Sequence, residues 1–257
     1  MAKRPLDVSV FLDKSLRMLC GVAPTARGRV LDFGCGAGDI VQALLPYGYD
    51  VHGCDIKPTW EPDGELGEQR LRAILQDPYR LPFEDDSFDA VYSWTVLEHA
   101  HNKEECFREI RRVLRPGGYA LHIFPSKWYL PREPHSLVPL LNFFWPHCPR
   151  WWLALWAILG IRNSYQQGHT WRHVVEGNTK FFTERASYWT NRRIRALSVE
   201  VFGNYASPMR FYIEHGYGGF PRAARRLPFK TLSGWVSAQF RMNLILQQKT
   251  VPTPLGG

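Results

Sequence analysis

No two cysteines in the 257-residue sequence stand in a CxxC pair. The five present, at 20, 35, 54, 106 and 148, are scattered and odd in number. That excludes a disulfide framework or a cysteine-built zinc site as organising features, and a reducing, cytoplasmic setting is the expectation. No metal site is expected. Long apolar runs are also missing. The most apolar stretch, residues 151–161, is eleven residues long, whereas a helix crossing a bilayer needs roughly 20. Residues 1–10 lack the apolar segment and cleavage pattern of a signal peptide, and there is neither an internal repeat nor a low-complexity tract. Acidic residues are scarce in the second half. Residues 126–257 hold 17 Lys+Arg against 5 Asp+Glu, whereas residues 1–125 hold 15 against 19.

Against these absences stand ten Trp, eight of them after residue 125. A basic, aromatic half joined to a mildly acidic one fits two readings, an anionic partner or a solvated basic face. Earlier in the chain, apolar segments alternate with amphipathic ones. Residues 6–20 read as a helix ended by Gly21 and Pro24, 29–33 as a buried strand, 38–48 as a helix closing at Gly48 and 50–55 as a second strand. Residues 57–69 read as a surface loop or short helix, 72–75 as a third strand and 85–93 as the segment holding a fourth. A helix over 97–114, stopped by Arg115-Pro116-Gly117-Gly118, and a fifth strand over 119–125 complete the pattern. Strands separated by helices predict a parallel sheet covered on both faces. Residues 126–180 break this rhythm with clustered Trp and Pro. A helix over 190–203, a sixth strand within 204–213, a helix near 221–238 and a last strand over 240–248 follow.

The chemistry concentrates at VLDFGCGAGDI (30–40). Gly34, Gly36 and Gly38 follow a strand and open a helix, where the lack of a Cβ lets the backbone turn sharply and approach a ligand. Asp55 ends the next strand, where an acid meets ribose hydroxyls in nucleotide-binding sheets. Asp32 lies two residues before the first glycine. A carboxylate there disfavours a pyrophosphate and favours a cationic sulfonium and ammonium, which points to S-adenosylmethionine over NAD.

These residues, with LQDPYRLPFEDDSFDAVYSWTVLEHAHN and EIRRVLRPGGYALHI, resemble the class I methyltransferases, in particular the type 11 group, in order over about residues 28–125. The resemblance implies a Rossmann-like α/β fold with a seven-stranded sheet, mostly parallel with the last strand antiparallel, and an aromatic-rich cap insertion. It divides the chain into an N-terminal helical cap (1–27), a cofactor-binding core (28–125), an acceptor-binding insertion (126–180) and the C-terminal part of the sheet (181–250). It implies that Asp32, Gly34, Cys35, Gly36 and Gly38 surround the methionine moiety and that Asp55 holds the ribose with Ile56 against the adenine. Asp77, followed by Pro78, would accept from the adenine amino group, and Ser93 and Trp94 would lie near the transferred methyl.

Methyl transfer is an in-line displacement that calls for a base only if the acceptor loses a proton. His99 and His135 are the candidates; His169 and His173 could contact an acceptor, and Tyr129, Tyr165, Trp171 and Tyr188 are possible aromatic walls. Residues 137–161 set Trp and Arg beside aliphatic residues, as at a lipid headgroup level or in an apolar pocket. The expected acceptor is a small molecule, apolar, lipid-linked or a secondary metabolite, methylated on oxygen, with peripheral membrane contact through 137–161. Three alternatives stand beside this reading. A nucleic-acid methyltransferase would carry an Asn/Asp-Pro-Pro-aromatic motif where Ser93-Trp94-Thr95-Val96 stands. A NAD-dependent oxidoreductase is disfavoured by Asp32, and a non-catalytic S-adenosylmethionine-binding protein by the full constellation.

Overall fold

The computed structural model describes residues 5–24, 28–57, 59–60 and 66–250. Its centre is a six-stranded sheet in the order β3-β2-β1-β4-β5-β6, formed by β1 (Arg29–Phe33), β2 (Asp50–Asp55), β3 (Leu71–Ala73), β4 (Phe88–Trp94), β5 (Leu114–Pro125) and β6 (Met242–Gln248). Adjacent pairs are parallel except β5 with β6, which run antiparallel from Tyr119↔Gln248 to Pro125↔Met242. The central strands are near-continuous apolar runs because both faces are covered. On one face α1 (Pro5–Leu19), α2 (Asp39–Leu44), α8 (Met209–His215), α9 (Gly219–Ala224) and α10 (Lys230–Phe240) bury Phe11, Leu12, Leu44, Tyr212 and Ala238 against Val30, Val51 and Tyr92. On the other, α4 (Lys103–Val113) and α7 (Asn191–Phe202) bury Phe107, Ile110, Ile194 and Phe202 against Leu31, Val91 and Ile245.

The sheet has six strands among the described residues, against the seven expected. The segment 204–213, expected as a strand, makes a single bridge, Ala206 to Leu246, before Pro208 turns it into α8. Proline has no N–H to give a ladder and fits the start of a helix. The helix expected over 97–114 begins at Lys103, because Asn102 caps it by accepting from the Glu105 N–H at 3.2 Å. Residues 97–101 are instead a turn above the sheet, which carries Glu98 and His99. The helix near 221–238 is two helices, α9 and α10, parted before Pro228. The expected segment 57–69 ends in a one-turn helix, α3 (Gly67–Arg70); residues 58 and 61–65 lie outside the described residues, as does the tail 251–257.

The aromatic-rich segment builds a core of its own. Helices α5 (Arg150–Ile158) and α6 (Trp171–Glu184) bury Leu153, Ala157, Val174, Val175 and Phe182 with Val138, Leu141, Ala186 and Tyr188. Buried Lys103 ties this unit to the sheet layer: its ammonium donates to the Ala100 and Ser187 carbonyls at 2.6 and 2.7 Å and to the Ser187 hydroxyl at 2.9 Å.

Candidate functional site

In open sheets of this kind, ligands sit beyond the carboxyl ends of the strands. There the glycine loop after β1 is fastened to the end of β2. The N–H groups of Gly34 and Cys35 donate to the Cys54 carbonyl at 2.8 and 3.1 Å. Gly36 N–H donates to one oxygen of Asp55 at 2.9 Å, and Lys57 N–H to the other at 2.8 Å. A carboxylate has about four lone-pair sites, so Asp55 keeps capacity for two hydroxyl donors. Gly34, Gly36 and Gly38 all have positive φ, at 85°, 55° and 86°.

Beside this loop opens a cleft of about 340 Å³. Phe33, Gly34, Asp55, Ile56 and Ile74 form one side, Thr95, Val96, His99 and His101 another, and Phe181, Glu184 and Arg185 from the end of α6 and just beyond it a third. Asp32 lies behind the loop, 1% exposed, with Oδ2 unpartnered among the described residues. Burial pushes its pKa up to about 8; the Tyr92 hydroxyl pulls it down and the Asp55 charge pushes it further up. An orphaned buried carboxylate oxygen beside a positive-φ glycine cradle suits a ligand that brings a cation. The residues therefore fit S-adenosylmethionine, and not a pyrophosphate.

The expected cofactor residues divide. Gly34, Asp55 and Ile56 line the cleft, Gly36 and Gly38 shape its loop, and Cys35 is buried. Asp77 and Pro78 are exposed outside it, and Gln76 and Tyr79 take the wall. Ser93 is buried and hydrogen-bonded to His122 Nδ1 at 2.7 Å. Trp94 packs on the α1 side, stacked on Tyr217 at 5.3 Å and edge-on to Phe11 at 6.0 Å. The neighbours Thr95 and Val96 face the cleft instead, since β4 ends there and Thr95 turns the chain at φ 55°.

The two candidate bases, 36 positions apart, meet. His99 Nε2 and His135 Nε2 stand 3.2 Å apart, and the far side of each ring is occupied. His99 Nδ1 lies 3.0 Å from the Arg185 carbonyl, which can only accept, so that nitrogen carries a hydrogen. His135 Nδ1 lies 2.8 Å from buried Glu133. Burial pulls the His99 pKa down to about 4, against the Arg185 carbonyl. For His135 burial also works downward, but the hydrogen bond and charge of Glu133 win and the pKa is raised. Glu98, 2% exposed, takes no hydrogen bond on either oxygen among the described residues, and burial pushes it up to about 7. Ligand atoms of Glu98, His99 and His135 lie within 4.8 Å of one another.

The aromatic walls proposed from sequence resolve differently. Tyr188 is buried, its hydroxyl donating to Glu133 at 2.8 Å; Tyr165 is 89% exposed; Tyr129 lies under Arg241 at 5.1 Å; Trp171 is exposed beside Arg172. His169 and His173 stack on each other at 4.3 Å, outside the cleft. Sequence reading missed Phe181 and Arg185. No local pattern marks them, because their place depends on how α6 docks.

Residues 31–122 match the family described as a methyltransferase domain. The chain is 32% identical over 97 residues to a sterol 4-C-methyltransferase of Caenorhabditis elegans, covering 34% of this chain and 28% of that protein. With a 2-methyl-6-phytyl-1,4-hydroquinone methyltransferase of Synechocystis it shares 27% over 205 residues, 77% of this chain and 61% of that one. It thus spans less than two thirds of either relative. The fold is similar to that of the YcgJ protein of Bacillus subtilis, with a TM-score of 0.50 at 16% identity over 96% of this chain and 98% of that one. Matched segment, strand order and glycine-loop geometry agree: residues 31–122 are similar to the methyltransferase-domain family, and the residues around the loop fit S-adenosylmethionine.

Proposed function

We propose that the protein transfers the methyl of S-adenosylmethionine to a small-molecule acceptor, apolar or lipid-linked, most readily through oxygen. The observation that carries this is the joint wall of the cleft, where the glycine loop and Asp55 face His99 and the end of α6. Asp55, Ile56 and Gly34 would hold the nucleoside side, Asp32 the cationic side, and the His99–His135 pair would meet the acceptor. Bound there, the donor supplies an electrophilic methyl. The chain's residues supply position, and positioning accounts for much of the rate in such displacements.

The apolar character of the acceptor is supported by α5. Trp151, Leu155, Ile158 and Leu159 fall on one helical stripe and are exposed at 65, 43, 63 and 62%. With Arg150 at its start and the basic second half around it, that stripe suits a membrane headgroup layer. The residues 126–188 would then be the unit that brings the acceptor to the cleft. Transfer of labelled methyl into a lipid extract, a water-soluble extract and RNA tests the reading. Label is expected in the lipid fraction and in cofloated vesicles, and Trp151→Glu with Ile158→Glu should lose flotation while keeping donor binding. Label in RNA alone would sink it.

The Asp32 environment gives a pH signature. Its raised pKa means that the donor-free protein holds a proton there below pH 8, and a cation beside the carboxylate expels it. Donor affinity should therefore be about tenfold weaker at pH 6 than at pH 7, and Asp32→Asn should flatten that profile. Titration calorimetry at both pH values reads it; a flat wild-type profile means that no cation sits against Asp32.

A further inference from the structure

The cluster where the candidate bases meet asks for something more than two neutral imidazoles. His99 Nδ1 must carry a hydrogen for the Arg185 carbonyl, and His135 Nδ1 one for Glu133. With both rings neutral, both Nε2 atoms then present lone pairs to each other across 3.2 Å. Two such lone pairs repel unless a positive centre lies between them. Two nitrogens held at 2.0–2.1 Å on a tetrahedral zinc ion stand about 3.3 Å apart, close to the spacing found. Histidine ligands of metals commonly donate their other ring N–H to a carboxylate or a backbone carbonyl, and the partners here are one of each. Glu98 supplies the second observation. Its carboxylate is buried, belongs to the same cluster and has neither oxygen hydrogen-bonded among the described residues. A buried carboxylate left so is costly unless paired or coordinated.

We propose that Glu98, His99 and His135 form a site for one divalent transition-metal ion, zinc by its donor set, with a coordination position open to the cleft. Two imidazoles and a carboxylate with an open fourth position is the donor set of catalytic zinc. Glu98, with neither oxygen hydrogen-bonded among the described residues, completes the set. The opening falls toward the cleft because His99 lines it, with the Phe181 ring 5.9 Å from His99 and 5.1 Å from His135 as an apolar flank. The purpose of the ion, though not its binding, rests on the methyl-transfer reading. An acceptor hydroxyl on the open position is acidified; its proton leaves to solvent, the oxygen–carbon bond forms as the sulfur–carbon bond breaks, and that electron pair stays on sulfur. One acceptor ether, one thioether and one proton result.

The test uses the full chain, stripped with chelator and titrated with Zn²⁺ and separately with Co²⁺. Metal content, the visible Co²⁺ spectrum and Tm are read, with donor calorimetry on the same samples. One equivalent of zinc, a Tm that rises with it and an intense four-coordinate Co²⁺ band are expected. Ligand removal should exceed the 10–100-fold loss typical of changing a ligand's supporting partner, so His135→Gln should weaken zinc more than about 100-fold. Glu98→Gln, which keeps the volume, serves where the histidine variant proves unfolded by its metal-free Tm. His173→Gln is the control for the exposed His169–His173 pair and should leave affinity unchanged. Failure to retain zinc or cobalt, affinity intact in both His135→Gln and Glu98→Gln, or affinity lost in His173→Gln overturns the site; in the first case the two rings share only a proton. Donor binding without metal would leave the methyl-transfer reading standing, and metal without donor binding would leave the site and remove that reading.

Discussion

Gly34→Ala is expected to weaken donor binding more than about 100-fold, whereas Gly36→Ala, two residues on, should cost about tenfold or less. Both glycines have positive φ, at 85° and 55°, so each alanine brings a backbone penalty of about 1–2 kcal/mol. The surroundings separate them. A Cβ on Gly34 would fall 2.3 and 2.8 Å from the two methyl carbons of Val96, whereas one on Gly36 would meet nothing within 4 Å among the described residues. Val96 is β-branched and stiff at χ1, and it follows the Thr95 turn at the end of β4, so it cannot swing away cheaply. Relief must come from the loop, and the loop is fastened by the Gly34 and Cys35 N–H groups to Cys54 and by Gly36 N–H to Asp55. A shift there moves the backbone against which the donor would lie and the carboxylate proposed to face its ribose. Calorimetry on both variants, with Tm as a folding control, measures the contrast. Equal losses in the two would show that backbone strain alone decides, and binding by Gly34→Ala within threefold of wild type would show that Gly34 is not a contact.

The Gly34 example also shows what was legible from sequence. Strands β1 and β2 were readable nearly to the residue, because strands buried on both faces are short apolar runs cut by turn residues. Helix α7 was equally clear, with Thr190 capping it and Gly203 ending it at φ 78°. The glycine loop after β1 and Asp55 at the end of β2 were placed from sequence because the turn there is local. What failed was settled by single backbone groups or by docking. Pro208 replaced an edge strand with a helix, and Asn102 cut the helix over 97–114 short, turning Glu98 and His99 into loop residues. Asp77 missed the cleft because the chain turns between Gln76 and Tyr79, which bridge each other. The meeting of His99 with His135 was beyond sequence pattern altogether. It depends on where the 126–188 unit, with its separate core, comes to rest on the sheet layer.

That unit is itself held together around Glu133, and Glu133→Ala is expected to destabilise it by about 3–5 kcal/mol, the usual cost of stripping one partner from a buried ion pair. The side chain is fully buried and its carboxylate accepts four hydrogen bonds. Oε1 takes His135 Nδ1 and the Tyr188 hydroxyl, each at 2.8 Å; Oε2 takes the N–H groups of His135 at 3.0 Å and of Ser136. Burial alone would raise its pKa, yet His135 and Ser136 hold it below the usual carboxylate range. The same carboxylate pins a turn in which Leu137 and Leu140 adopt positive φ, at 62° and 55°, and branched residues persist there only when their surroundings over-determine the chain. Alanine leaves four donors unpaired and frees that turn. For a domain of this size Tm should fall by roughly 6–20 °C. Tyr188→Phe, which removes one of the four donors and leaves the carboxylate in place, should cost only about 1 kcal/mol. Because Val138, Leu153, Val174 and Phe182 pack apart from the two cores flanking the sheet, hydrogen exchange should rise across residues 133–188 while β1, β4 and β5 keep their protection. Uniform loss of protection across the sheet would mean that the 133–188 unit does not open separately, and a Tm within 2 °C of wild type would mean that the four hydrogen bonds are replaceable by water.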